Sequence, residues 1–329
     1  MKKRNFTPLL LLAIVVPALL GWGFLVHRTV AQLAIYQLPK PMQAFFFTHK
    51  DSIVSAAPRP DQRRIQRPAE GSWHFMDMEA FGTDPFKEVP RDFDQAVAKY
   101  SLDTLKKYGT LPYVVVTHTE KLTNAFRSGN ADSIVFYAAE LTHYIADAHV
   151  PLHTSINYDG QLTGQNGLHD LWETTVPEVM ISSYQLSSRH KAKYISSPSN
   201  EIWKIMEHTF SLLPNMLAAE KEVSKSFTDS TKYRWEFRWG KNRRFYSYEF
   251  ARQYSAALKS SVNDQLRAAS EAIADFWYTA WVNAGKPNLD PLLTTDYNKK
   301  SFKSEKKAFK KNELMKKKLL ISTKWITKD

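Results

Sequence analysis

Between Tyr248 and Ala284 the apolar residues Tyr254, Leu258, Val262, Leu266, Ala269, Ile273 and Trp277 recur at intervals of three or four, and Gly285 and Pro287 end the pattern. That spacing lays all of them on one stripe of an α-helix, which is stable only if the stripe is covered by other elements. The same period runs through FLVHRTVAQLAIYQL up to Pro39, resumes near Asp92 and near Tyr113, and returns in Ala131 to His149, where Ile134, Ala138, Leu141 and Ile145 share a face. A further helix is expected around Ile202 to Lys225. Glycine is scarce at 11 of 329 residues, and short Val/Ile/Thr runs bounded by turn residues are few, so the chain reads as all-α. Ala57 to Pro90, with its prolines, and the polar stretch Asn157 to Gly167 read as loops. A hydrophobic content of 43% suffices for a core, and no internal repeat divides it. One multi-helix domain over 22–298 is the simplest organisation.

The ends of the chain differ from this body. Lys2, Lys3 and Arg4 precede PLLLLAIVVPALL, the charged-then-apolar order of an export signal over 1–21. The competing reading is an uncleaved membrane anchor, because Pro8 to Val26 is apolar over 19 residues. Export, to a periplasm or beyond the cell, is the preferred reading. The chain has no cysteine, so any metal must be held by histidine, carboxylate, backbone or terminal groups. The net charge of +12 is also a property of the ends: 299–329 is a lysine-rich tail, while 22–298 balances to zero. The tail reads as a solvated, partly helical extension, with contact to anionic lipid or nucleic acid as the alternative.

In HYIADAHVPLH, His143 and Asp147 stand four apart and share one helix face, and His153 follows just past Pro151. His169 and Glu173 repeat the four-residue spacing beyond the polar loop. One such pair is commonly a surface ion pair; two pairs flanking a loop suit a zinc site. His149 lies in the same helix outside the ligand pattern and reads as a supporting or structural residue. From Lys232 to Arg244 aromatic residues alternate with mostly basic ones. The preferred reading is a half-buried strand, with base stacking or phosphate binding as its rival.

Taken in order, these residues resemble a known superfamily, the zinc-dependent phospholipases C of bacteria and the zinc-dependent single-strand nucleases of fungi. The resemblance starts at Trp22, directly after the leader, with His27 five residues on. It continues through Asp61 and Arg64, three apart, the pair His74–Phe75, then His143, Asp147 and His153, and ends with His169 and Glu173. The long C-terminal helix closing in FWYTAWVNAG also fits. DPFKEVPRDF, NYDGQLTGQ and Glu173 look more like the bacterial phospholipase-labelled branch.

The resemblance implies an all-α fold and three zinc ions per chain. Asp61, His74, His143 and Asp147 would hold one. The amine and carbonyl of Trp22, exposed if the leader is cut after Gly21, would hold a second with His27 and the other oxygen of Asp147. His153, His169 and Glu173 would hold the third. Asp61 and Arg64 would be the catalytic pair, Arg64 binding a phosphoryl oxygen, and Phe75 would stack on the substrate. The implied activity is phosphodiester hydrolysis, with phospholipid slightly preferred over single-stranded nucleic acid. A non-catalytic surface protein binding lipid or polyanion through the tail is the reading from another class.

Overall fold

The computed structural model describes residues 23–238, 240–293 and 295–325, so the leader and Trp22 lie outside the described residues. The fold is all-α. Its main elements are α1 (Phe24–Ile35), α2 (Lys50–Ala56), α3 (Leu111–Ser128), α4 (Ala131–Asp147), α5 (Pro198–Ser211), α6 (Leu213–Ser224), the strands β1 (Tyr233–Arg238) and β2 (Lys241–Tyr246), then α7 (Tyr248–Leu258), α8 (Ser261–Asn283) and α9 (Lys299–Lys310). None of the described helices is long and apolar enough to cross a membrane.

Every residue of α1 except Val26 is buried, polar ones included. A helix apolar on one stripe alone could not be enclosed in this way; α1 is the central element, packed against α2, α4 and α8. Helices α3 and α4 form an antiparallel pair joined by Gly129 and Asn130, and α8 lies across both. Asn130 starts α4 by accepting from the Ser133 amide at 2.8 Å, a side-chain cap on an otherwise unpaired donor. On α8, Ile273, Phe276 and Trp277 are fully buried, and the Trp277 indole N–H donates to the Ala138 carbonyl of α4 at 3.1 Å. Burying such a side chain contributes on the order of 2–3 kcal/mol, and the indole donor is satisfied at the same time.

Three sequence expectations are corrected. The stripe from 248 to 284 is two helices, broken at Lys259, whose φ of 56° is left-handed, and Ser260. The helix expected at 202–225 is likewise split at Leu212, with Pro214 in the first turn of α6. The Ala57–Pro90 stretch is a chain of short helical turns, Arg59–Arg63, Pro68–Trp73, Met78–Phe81 and Pro85–Glu88, with prolines in the first turn of three of them.

The boundary drawn at residue 298 is not a structural one. On α9, Phe302, Glu305 and Phe309 are buried while Lys299, Lys300, Lys303, Lys307 and Lys310 face solvent. Phe302 and Phe309 pack on Tyr36, whose hydroxyl donates to Glu305 at 2.6 Å, and Lys50 pairs with the same carboxylate at 2.6 Å. Farther on, Gln32 of α1 bonds the Leu319 carbonyl and the Ile321 amide, and Thr29 meets Ser322. Counting lysines hides this amphipathic period: the segment is basic on one face and is core on the other.

Candidate metal centre

The last two turns of α4 present Glu140, His143 and Asp147 along one inward face. α1 brings His27 beside them, the short helix Arg59–Arg63 brings Asp61, and the turn Pro68–Trp73 ends at His74. Past the end of α4, Pro151–Thr154 carries His153, and the segment after the polar loop carries His169 and then Glu173, the latter in a widened π-type turn, Leu171–Thr175.

These side chains converge. His74 Nδ1 lies 2.9 Å from Asp147 Oδ2 and 3.7 Å from Asp61; His143 Nε2 lies 3.3 Å from Asp147 Oδ2 and 3.8 Å from Asp61. The other Asp147 oxygen, Oδ1, faces His27 at 3.5 Å and His153 at 3.8 Å. His169 Nε2 is 2.8 Å from Glu173 Oε2, His153 Nε2 is 3.5 Å from it, and His27 Nε2 is 3.6 Å from Glu173 Oε1. Three donor groups able to hold a cation follow: His74–His143–Asp147, His27–Asp147–Glu173 and His153–His169–Glu173. His27, Asp61 and His143 form a fourth, overlapping combination. Glu173 therefore reaches two groups, where the sequence reading gave it one.

The rings are aimed by the backbone. His143 Nδ1–H donates to the Ala57 carbonyl at 3.0 Å and His153 Nδ1–H to the His74 carbonyl at 2.7 Å, which leaves each Nε2 lone pair directed into the pocket. There His143 Nε2 meets His74 Nδ1, and His153 Nε2 meets His169 Nε2, each at 3.0 Å. Among the described residues, both nitrogens of His27, and His74 Nε2, are buried without a hydrogen-bond partner. Facing nitrogens and orphaned imidazoles are costly in a dry pocket and become favourable around a cation. Burial opposes ionisation of Asp147 and Glu173, yet the surrounding histidines hold both carboxyls well below the usual range. Burial pushes His143 down, toward the neutral form that ligates metal. This nitrogen-and-carboxylate set fits zinc.

The remaining expected residues differ in placement. Arg64 is exposed, with Nη2 3.5 Å from Asp61 Oδ1. Phe75 is half-buried and follows His74 directly. Its backbone is clamped by Gly109, whose φ is +97° and where a Cβ would lie 2.0 Å from the Phe75 carbonyl oxygen. Trp22 is outside the described residues, but Gly23 next to it is described: its amide donates to Thr174 Oγ1 at 2.9 Å, and a Cβ there would strike Glu173 Oε1 at 2.3 Å. His149 is buried, donates from Nδ1 to the Ile145 carbonyl, and is pushed down to about 4 by burial, which makes it a neutral core histidine.

Sequence reasoning missed two supports of the site. Asp159 accepts from the Gly167 and His169 amides, fixing the loop that delivers His169. Beneath Asp61, Arg59 and Arg63 pair with Glu140 of α4 at 3.0 and 2.7 Å, and Arg63 pairs with Glu70 at 2.5 Å. Glu140 three residues before His143 was the available signal.

The S1/P1 nuclease family model matches residues 22–277, a span holding every one of these residues. The chain belongs to the S1/P1 nuclease family. Nuclease S1 of Aspergillus oryzae is 25% identical over 186 residues, covering 51% of this chain and 58% of that protein, so the match spans less than two thirds of the relative. The fold is also similar to Clostridium perfringens alpha-toxin from an avian strain, at 13% identity and a TM-score of 0.49 over 79% of this chain and 64% of that one.

Proposed function

We propose that this pocket binds three zinc ions and hydrolyses phosphodiester bonds of single-stranded nucleic acid. The observation that carries the metal reading is Asp147, fully buried, with one oxygen toward His74 and His143 and the other toward His27 and His153. Asp61, His74, His143 and Asp147 would hold one ion. His27, Asp147 and Glu173, with the amine and carbonyl of Trp22, would hold a second, and His153, His169 and Glu173 a third. The approach of Gly23 to Glu173 supports the Trp22 assignment, which requires removal of the leader and therefore export.

Zinc in such a site supplies Lewis acidity, lowering the pKa of water and offsetting charge on the phosphoryl group. The chain's own residues do the rest. His143 and His153 are locked by backbone carbonyls, so the donor set is preorganised rather than assembled on binding. Asp61 lies at the pocket edge and holds Arg64, whose guanidinium donates to a non-bridging phosphoryl oxygen and strengthens as charge develops there. Phe75 offers a ring face beside His74, which suits an unpaired base.

The lean toward phospholipid in the sequence gives way here because the family match is to nucleases. A phospholipid substrate remains the second reading. It is favoured by exposed Ile65, Tyr158 and Leu162 on the segments that carry Arg64 and lead to His169. The solvent-facing lysines of α9 extend either reading to contact with an anionic surface.

Metal analysis of purified protein, followed by parallel assays on single-stranded DNA and phosphatidylcholine, tests the proposal. Three zinc ions with strand cleavage are expected. Head-group release without strand cleavage overturns the substrate, and inertness on both with zinc bound overturns the hydrolase.

A further inference from the structure

The segment Lys232 to Arg244, read from its sequence as a half-buried strand, is half of what the structure shows. β1 and β2 form an antiparallel hairpin in the register Tyr233↔Tyr246, Trp235↔Arg244 and Phe237↔Asn242, so these six side chains share one face. Along that face burial falls steadily from base to tip. Tyr246 is buried, Tyr233 is half-buried with its ring 5.1 Å from that of Tyr246, Trp235 is 69% exposed and Phe237 is 73% exposed. The Arg244 guanidinium lies 4.0 Å from the centre of the Tyr233 ring, opposite Trp235. Large aromatics are normally buried or partnered, and two in a row left to solvent on a two-stranded ribbon do nothing for the core.

Charge is concentrated there as well. Lys232, Arg234, Arg238, Lys241, Arg243 and Arg244 stand against Glu236 alone, on a body, 22–298, whose remaining residues are net acidic. The base of the hairpin is fixed firmly: the Tyr246 hydroxyl bonds Glu220 at 3.0 Å, Lys232 pairs with Glu220 at 2.8 Å, and Gly167 lies against the Tyr246 ring. β2 also packs on the turn Leu171–Thr175, which holds Glu173. The arm is rooted beside the His153–His169–Glu173 group.

We propose that this hairpin is a binding arm for single-stranded nucleic acid, on whose Trp235 and Phe237 successive bases stack while Arg244, on the same face, contacts the phosphate between them. It rests on the nuclease reading above and adds to it a site outside the metal pocket. Interleaved ring faces and cations are the chemistry that recognises an unpaired strand: stacking needs exposed bases and the cations track a backbone. An anionic membrane would instead favour a continuous apolar wedge, and here the neighbours across the ribbon from Trp235 and Phe237 are Arg244 and Asn242. A strand held along the ribbon is delivered toward the root, where Glu173 lies.

The test compares full-length, zinc-loaded wild type with the double variant W235A/F237A. Both side chains are exposed, so the variant should match wild type in thermal unfolding. Expected is a rise of at least about ten-fold in the ratio of KM for a strand of about twenty nucleotides to KM for a dinucleotide, with a matching loss in anisotropy-measured affinity for the strand. The aromatic swap W235F/F237Y should restore both. R244Q should flatten the salt dependence of strand binding by about 0.7 in log–log slope. An unchanged KM ratio, or an equal rise for both substrates, overturns the arm. Loss of binding to phosphatidylserine vesicles with strand affinity unchanged assigns it to a membrane and also overturns the proposal. Should wild type cleave no strand, the nuclease reading fails, and the anisotropy comparison, which needs no cleavage, still decides the arm.

Discussion

Two polar clusters share the inward face of α4, two turns apart, and their chemistry differs in kind. Around Glu140, every charge meets its opposite within the protein: Arg63 approaches with two nitrogens at 2.7 and 3.0 Å, Arg59 with one at 3.0 Å, and Glu70 takes the remaining edge of Arg63. Burial works against the Glu140 carboxylate, but Arg63 and Arg59 hold it below the ordinary carboxyl range. Around Asp147, carboxylates and histidines crowd together with facing nitrogens, and among the described residues the ring nitrogens of buried His27 have no hydrogen-bond partner. The first cluster is complete as protein and contributes to holding Asp61's helix against α4. In the function proposed here the second is a receptor, whose polar groups would be compensated by a cation shared among them.

The largest expected effect breaks the receptor. Asp147→Asn removes the carboxylate that faces both sides of the pocket, and should lower kcat/KM by at least about a thousand-fold, some 4 kcal/mol, beyond the roughly 100-fold that loss of an orienting partner costs. Metal analysis should show more than one zinc lost. Full occupancy with retained activity would make the bridging role wrong. Glu173→Gln, which touches His27, His153 and His169, should follow it more closely than a single-site ligand would.

Next comes the complete cluster. Glu140→Gln leaves Arg59 and Arg63 facing a neutral amide in a buried position and should cost about 3 kcal/mol of stability, because the loss of one partner leaves buried charge uncompensated. Denaturant unfolding of the chelated protein checks this. The comparison sharpens if metal content in the variant stays near wild type, and breaks if zinc is lost in proportion to stability, which would make the two clusters one unit.

The smallest effect concerns a carboxyl that has neither kind of compensation. Asp77 is buried on the segment after His74, its Oδ1 has no hydrogen-bond partner among the described residues, and burial together with Glu79 pushes it up to about 7. Because its folded value is raised, the folded state holds a proton that the unfolded chain has released. The stabilisation is present below the ordinary carboxyl range, falls as pH rises toward 7, and stays lost above it. Asp77→Asn should therefore raise stability at pH 8 by about 1–2 kcal/mol and leave it nearly unchanged in acid. A variant whose melting temperature tracks wild type across that whole interval would show that Asp77 has a partner after all.

Local periodicity accounts for what the sequence determined by itself. A helix places residues four apart on one face wherever it occurs, so His143 with Asp147 and His169 with Glu173 were legible as pairs, and so was the all-α class. The break at Lys259 was not, since no glycine marks it and the apolar stripe runs on, while at Leu212 the continuing stripe outweighed the signal that Pro214 offered. Composition misled at the C-terminus, where a count of lysines conceals that Phe302, Glu305 and Phe309 recur on one side.

Long-range packing decided the rest. Only the burial of α1 against α4 sets His27 beside Asp147, and only its packing on the turn at 171–175 brings His27 to Glu173. Only the register of β1 on β2 leaves Trp235 and Phe237 together in solvent. A sequence records each residue's neighbours along the chain, whereas His27 meets Asp147 and Glu173 across 120 and 146 positions, an approach that depends on how whole helices bury their apolar faces.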